Sequence, residues 1–139
     1  LMVTNMSYYP EFDRILQGSA FTNFWGKIPF LPSFFGQMLL KSVDPASARP
    51  LKTTPVFTPS SSDLPATIVA DFINQQQQTI NYYNKLLQVA APQSVLVTSP
   101  AAVFITYSLS NALRIIALHE QRHLNQAKRI MQMPEFPAH

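Results

Sequence analysis

The feature that most constrains this chain lies near its C-terminal end. Leu109, Ala112, Ile116, His119, His123, Gln126 and Ile130 recur at steps of 3, 4, 3, 4, 3 and 4. Such steps return to one face of an α-helix at every turn, so they predict a long helix with one flank turned into a bundle. Ser108 or Ser110 is placed to cap its start, and Pro134 closes it. Two imidazoles on an inward flank are costly without a partner, which makes the histidines the first candidates for chemistry.

Histidines four residues apart sit one turn apart on the same helix face, and two imidazole nitrogens at that spacing can reach one metal ion. With Glu120 they spell HEQRH, the HExxH pattern of zinc metalloproteases. That reading fails on the third ligand. The form with a nearby third histidine needs glycine at position 126 and histidine at position 129, where this chain has Gln126 and Arg129. Beyond His123 the only acid is Glu135, beside Pro134. Glu120 lies about 100° round the helix from His119. It reads as a surface or interhelical acid, with a weaker candidacy as a general base toward water at the metal. Arg114, Arg122 and Arg129 read as a solvated outer face, with anionic-substrate binding as the alternative.

Upstream, Met2, Met6, Tyr9, Phe12 and Leu16 predict a helix over residues 1–17, kinked where Pro10 removes a donor near the Met6 carbonyl, with Gly18 as its stop. Residues 19–64 then form a Pro- and Phe-rich connection. Phe21, Phe24, Phe30, Phe34, Phe35 and Trp25 crowd its first part. Such a segment is expected to cover the body of the protein with its aromatics buried, with one short helix near 33–41; a membrane-touching or substrate-gating flap is the alternative. Ser62 or Asp63 is placed to cap a second long helix with Pro65 in its first turn and a stripe of Val69, Phe72, Gln76, Ile80, Tyr83 and Leu87. The run Gln75–Gln78 reads as its solvated face, and Pro92 as its end. Ser94–Thr98 is extended but too short and isolated to imply a sheet.

At 139 residues the chain makes one domain. With 47% hydrophobic and 12% charged residues it is too apolar to stay disordered. Its net charge of +3 comes from scattered residues, so no basic stripe suggests nucleic acid. The absence of cysteine excludes disulfides, thiolate metal sites and a Cys nucleophile. The first residues lack the pattern of a signal peptide, and the longest uncharged stretch is broken by Pro92 and Pro100, which speaks against a membrane span.

The stretch YSLSNALRIIALHEQRHLNQAKRIM, Tyr107–Met131, resembles the last helix of the DinB/YfiT-like superfamily of metal-dependent enzymes. In that family this helix carries HxxxH, commonly followed by a glutamine, as His119, His123 and Gln126 are here. ITYSLSNALRI, FWGKIPFLPSFFGQMLLK and VTNMSYYPEFDRIL are similar to one bacterial branch of the family, so the resemblance spans essentially the whole chain. It implies an all-α, DinB-like four-helix bundle with a long crossover loop, of which residues 1–139 supply three helices. The first helix would lie upstream, and the third metal-binding histidine immediately before Leu1. His139, after two prolines, reads as a solvated end rather than a substitute. The resemblance further implies a facial three-imidazole site for Zn²⁺, Ni²⁺, Fe²⁺ or Mn²⁺ with positions open to water or substrate. Val3, Thr4 and Tyr8 would line its wall, and Gln126 would orient His123 or a bound water. It implies a transferase joining a low-molecular-weight thiol to a small electrophile, or a hydrolase, working in the cytoplasm as a homodimer. The competing expectation is a non-catalytic, stress-linked binding protein whose metal is structural or vestigial. Neither nucleic acid nor membrane is expected as a partner.

Overall fold

A computed structural model of the chain describes residues 1–47 and 64–136. Its first stretch is two helices, α1 (Met2–Met6) and α2 (Tyr9–Leu16). Pro10 sits in the first turn of α2 and has no N–H to carry the ladder back to Met6, so the predicted kink is a full break at Ser7 and Tyr8. The inward set keeps Tyr9 and Phe12 of the expected stripe and differs from it on either side. Asn5, Tyr8, Tyr9, Phe12 and Ile15 are buried, while Met6 and Leu16 of the expected stripe are exposed. Gly18 ends α2 with φ 70, and the next amide, of Ser19, closes on the Arg14 carbonyl at 2.9 Å.

A 3₁₀ turn (Trp25–Lys27) leads into α3 (Leu31–Ser42), which covers the helix expected near 33–41. Phe30, at the N-cap of α3, has φ 61 and so lies in the left-handed region. The expectation of buried aromatics is reversed here: Phe21, Phe24, Trp25, Phe30 and Phe34 are all exposed. The buried positions of α3 are Gly36 and Leu40. A Cβ at Gly36 would lie 2.2 Å from Asn111 Nδ2 and 3.4 Å from Tyr107 Cβ, so the helix approaches its neighbours too closely to admit a ring. Residues 48–63 of the expected 19–64 connection, including the caps Ser62 and Asp63, and His139 lie outside the described residues.

Helix α4 (Ile68–Leu86) starts after Pro65 rather than around it, with the Ile68 amide donating to the Pro65 carbonyl at 3.0 Å. Its buried residues are Gln75, Thr79 and Leu86, whereas Val69, Phe72, Ile80 and Leu87 of the predicted stripe are exposed. A polar seam explains the shift. The Gln75 side-chain amide donates to the hydroxyls of Tyr9 at 2.9 Å and Thr79 at 2.7 Å, and those two hydroxyls are 2.8 Å apart. Buried polar groups satisfied in this way no longer oppose burial. Gln77 and Gln78 are exposed as expected of a solvated run; Gln75 is in the core and Gln76 is half-buried.

The extended stretch is also more than a linker. Leu96–Thr98 (β1) pairs antiparallel with Thr106–Ser108 (β2), with Val97 opposite Tyr107. Both are fully buried, and α3 packs across β2. A two-stranded ribbon is marginal alone and gains stability from such cover. Helix α5 (Leu109–Met131) follows at once, capped by Ser108, whose Oγ accepts from the Asn111 amide at 3.2 Å. Leu109, Ala112, Leu113, Ile115 and Ile116 join Phe12, Leu86, Val97 and Tyr107 in one core. The architecture is mostly helical with one small ribbon, not purely α. Among the described residues no helix is long and apolar enough to cross a membrane.

Candidate functional site

Past Ile116 the inward flank of α5 leaves the core and carries the two histidines, each half-buried. Their Nε2 atoms converge to 3.0 Å, with ring planes at 76°. Two imidazole nitrogens bound to one ion at about 2.0–2.1 Å, subtending an angle between octahedral and tetrahedral, stand about 2.9–3.4 Å apart. The pair therefore fits two adjacent ligand positions of a single ion, as well as one imidazole N–H donating to the other.

Both rings are held neutral. Burial pushes His119 down to about 4, helped by the His123 ring, the α-amino group of Leu1 and the Arg122 guanidinium, against the opposing charge of Glu120. His123 is lowered by burial first, then by the Leu1 amino group and Arg122, with Glu120 and a hydrogen bond that the ring donates to Gln126 pulling the other way. A neutral imidazole has the lone pair that a metal needs.

Glu120 is interhelical. Its Oε1 accepts from the Asn5 amide at 2.5 Å and the Gln76 amide at 3.2 Å, joining α1, α4 and α5 beside the rings. The neighbouring Tyr83 hydroxyl donates to the Leu113 carbonyl, and burial together with the Glu120 charge raises its pKa to about 12. Arg122 corrects the reading of a solvated arginine face. It is buried, and its Nη1 donates to the carbonyls of Asp44 at 3.1 Å and Ser47 at 3.0 Å, while Arg114 and Arg129 are exposed.

The structure brings His119, His123, Glu120 and Gln126 together. Thr4 is half-buried and its carbonyl accepts from the Ser7 hydroxyl at 2.6 Å; Val3 is exposed. Tyr8 points into the core, its hydroxyl 2.6 Å from that of Tyr107, and burial raises its pKa well above the usual phenol range. Asn5 takes the place on the site side instead, with Oδ1 buried and without a hydrogen-bond partner. The signal for Asn5 was its position one turn after Leu1, on the same helix face. Gln76 stood in the predicted α4 stripe without a role. Among the described residues no group of three or more His, Cys, Asp or Glu side chains forms a cation site, so the described part of the centre is a pair of imidazoles.

No protein-family model, curated protein or solved structure matches the chain.

Proposed function

We propose that the chain is a divalent-metal-dependent enzyme of the DinB-like superfamily, built on that family's four-helix bundle, with His119 and His123 as two of its ligands. The observation that carries this reading is the 3.0 Å convergence of two imidazole nitrogens kept neutral by burial. In the resembling family a third histidine immediately precedes the position of Leu1. Here α1, which begins at that position, reaches the site through the Asn5 amide, which donates to Glu120 beside the pair.

The bound ion, Zn²⁺, Ni²⁺, Fe²⁺ or Mn²⁺, would supply Lewis acidity that lowers the pKa of a coordinated thiol or water. The chain's own groups do the rest. Gln126 orients the His123 ring, and the amides of Asn5 and Gln76 hold the Glu120 carboxylate beside the pair, where its negative charge favours a cation. The substrates on this reading are a low-molecular-weight thiol with a small electrophile, or a hydrolysable compound, in the cytoplasm. A homodimer through the exposed apolar side of α4 completes the proposal.

One observation favours a non-catalytic alternative with a structural metal: Glu120 already ties three helices together, a task that needs no turnover. Metal analysis of the full-length protein purified without chelators tests the primary reading. Stoichiometric metal is expected, and its loss in a His123→Ala variant that keeps its helical circular dichroism. Equal, substoichiometric metal in both proteins would refute it. Thiol-transfer and hydrolase screens on the loaded protein then separate the readings, since only the enzymatic one expects turnover that disappears in His123→Ala.

A further inference from the structure

Away from the histidines, aromatics of the expected covering loop join Phe104 in one connected cluster, exposed except for the half-buried Phe35. Phe24 packs edge-on against Trp25 with centroids 5.6 Å apart, Trp25 against Phe104 at 6.3 Å, Phe104 against Phe35 at 6.2 Å, and Phe35 against Phe34 at 5.5 Å. Phe30 extends the row by one turn, its carbonyl accepting from the Phe34 amide at 2.9 Å. These rings come from three places in the chain, the 3₁₀ turn, the start of α3 and the loop between β1 and β2. Yet they are exposed: Phe24 69%, Trp25 41%, Phe30 76%, Phe34 59% and Phe104 47%. A contiguous apolar patch of this kind marks an interaction surface.

The patch is held rather than floppy. Asn23 Nδ2 donates to Thr98 Oγ1 at 3.2 Å and to the Val103 carbonyl at 2.9 Å, fastening the Trp25 turn to the hairpin. At Gly26 a Cβ would come within 3.0 Å of Leu96 Cδ1, so the absence of a side chain lets that turn sit tight on β1. Its charge is one-sided. Between Ser19 and Val43 the only ionisable side chains are Lys27 and Lys41, and Ser99–Ile105 contains none. Lys27 ends the Trp25 turn, and Lys41 lies two turns beyond Phe34 on the same exposed face of α3. The first acid to follow in the chain is Asp44, beyond Lys41, and its carboxylate accepts from the Ala46 amide. Aromatic rings flanked by two exposed lysines match the boundary between anionic headgroups and acyl chains, where rings insert shallowly and ammonium groups stay at the surface.

We propose that this aromatic end is a peripheral docking surface for an anionic lipid bilayer, with Trp25 and its neighbouring phenylalanines inserting at the interface and Lys27 and Lys41 pairing with headgroups. The proposal is independent of the metal reading. A protein partner is the competing occupant.

Trp25 is the only tryptophan in residues 1–139, and a Trp25→Phe variant identifies its share of the full-length protein's emission. Full-length protein is mixed with phosphatidylcholine vesicles with or without phosphatidylserine. The expected result is a blue shift and quenching by brominated acyl chains with the anionic vesicles only, reversed at high salt. Each Lys→Glu change, at Lys27 or Lys41, is expected to weaken partitioning at least about fivefold. A Phe24→Ser/Phe34→Ser double variant, altered only at exposed positions, is expected to keep its far-ultraviolet circular dichroism and lose the shift. No shift with anionic vesicles overturns the proposal. So does a blue shift that grows with protein concentration without lipid, which would assign the patch to a protein contact, or vesicle binding that both sets of variants leave intact.

Discussion

At the scale of single residues, the two histidines are bases whose folded state resists protonation. His119 is lowered from 6.5 to about 4, and His123 shifts the same way. In the metal-free protein an unfolded chain therefore takes up protons before the folded one as pH falls. The contribution to stability is complete above about pH 6.5, declines as pH drops toward 4, and changes little below that. Denaturant melts across this window are expected to show the decline, and His119→Gln is expected to flatten it. A variant that declines as steeply as the parent would mean that other groups set the acid sensitivity. The residues that surround the pair were less legible than the pair itself. HxxxH is a local spacing that any helix preserves. Asn5 and Gln76 reach Glu120 beside the rings from other elements, and nothing local in the sequence records that pairing.

At the scale of elements, the helices were legible where apolarity and inwardness coincide. α5 turns Leu109, Ala112 and Ile116 inward on the predicted stripe, and its Ser108 cap is in place. On α4 the two part company: Gln75 and Thr79 satisfy each other and Tyr9, so polar residues face in and the apolar stripe faces out. On α1 and α2 Tyr9 and Phe12 are buried on the predicted stripe. Around the break before Pro10, Asn5 and Ile15 turn inward in place of Met6 and Leu16, and Tyr8 lies against Tyr107. The extended stretch at 94–98 contains β1, but its pairing was not legible because the partner, Thr106–Ser108, runs straight into α5 and reads as the approach to a helix cap. The close seating of α3 yields a prediction. Gly36→Ala places a methyl 2.2 Å from Asn111 Nδ2 and 3.1 Å from its Cγ, and Asn111 has to give way. A loss of about 1–3 kcal/mol in chemical denaturation is expected, with helix content retained. An unchanged midpoint would show that the Asn111 side chain moves aside freely.

At the scale of the whole molecule, the exposed side of α4 bears on assembly. Val69, Ile73, Ile80 and Leu87 recur at steps of 4, 7 and 7 and are 50–67% exposed, a seam suited to another helix. Sedimentation velocity is expected to show the proposed dimer, and Ile73→Glu/Ile80→Glu to yield a folded monomer; a parent that stays monomeric at high concentration would remove the dimer from the proposal. The aromatic end obeys a different logic, and Phe30 exposes it. A bulky residue in the left-handed region costs about 1–3 kcal/mol, and at 76% exposure this ring recovers little of that by packing. Phe30→Gly relieves the strain but adds freedom to the unfolded chain, so a net gain of about 0.5–1 kcal/mol is expected in thermal or denaturant melts. The same substitution removes a ring from the docking patch. Durability and surface attachment are thus in opposition at one position, and a screen for heat-resistant variants would be expected to select proteins that have lost their grip on the bilayer.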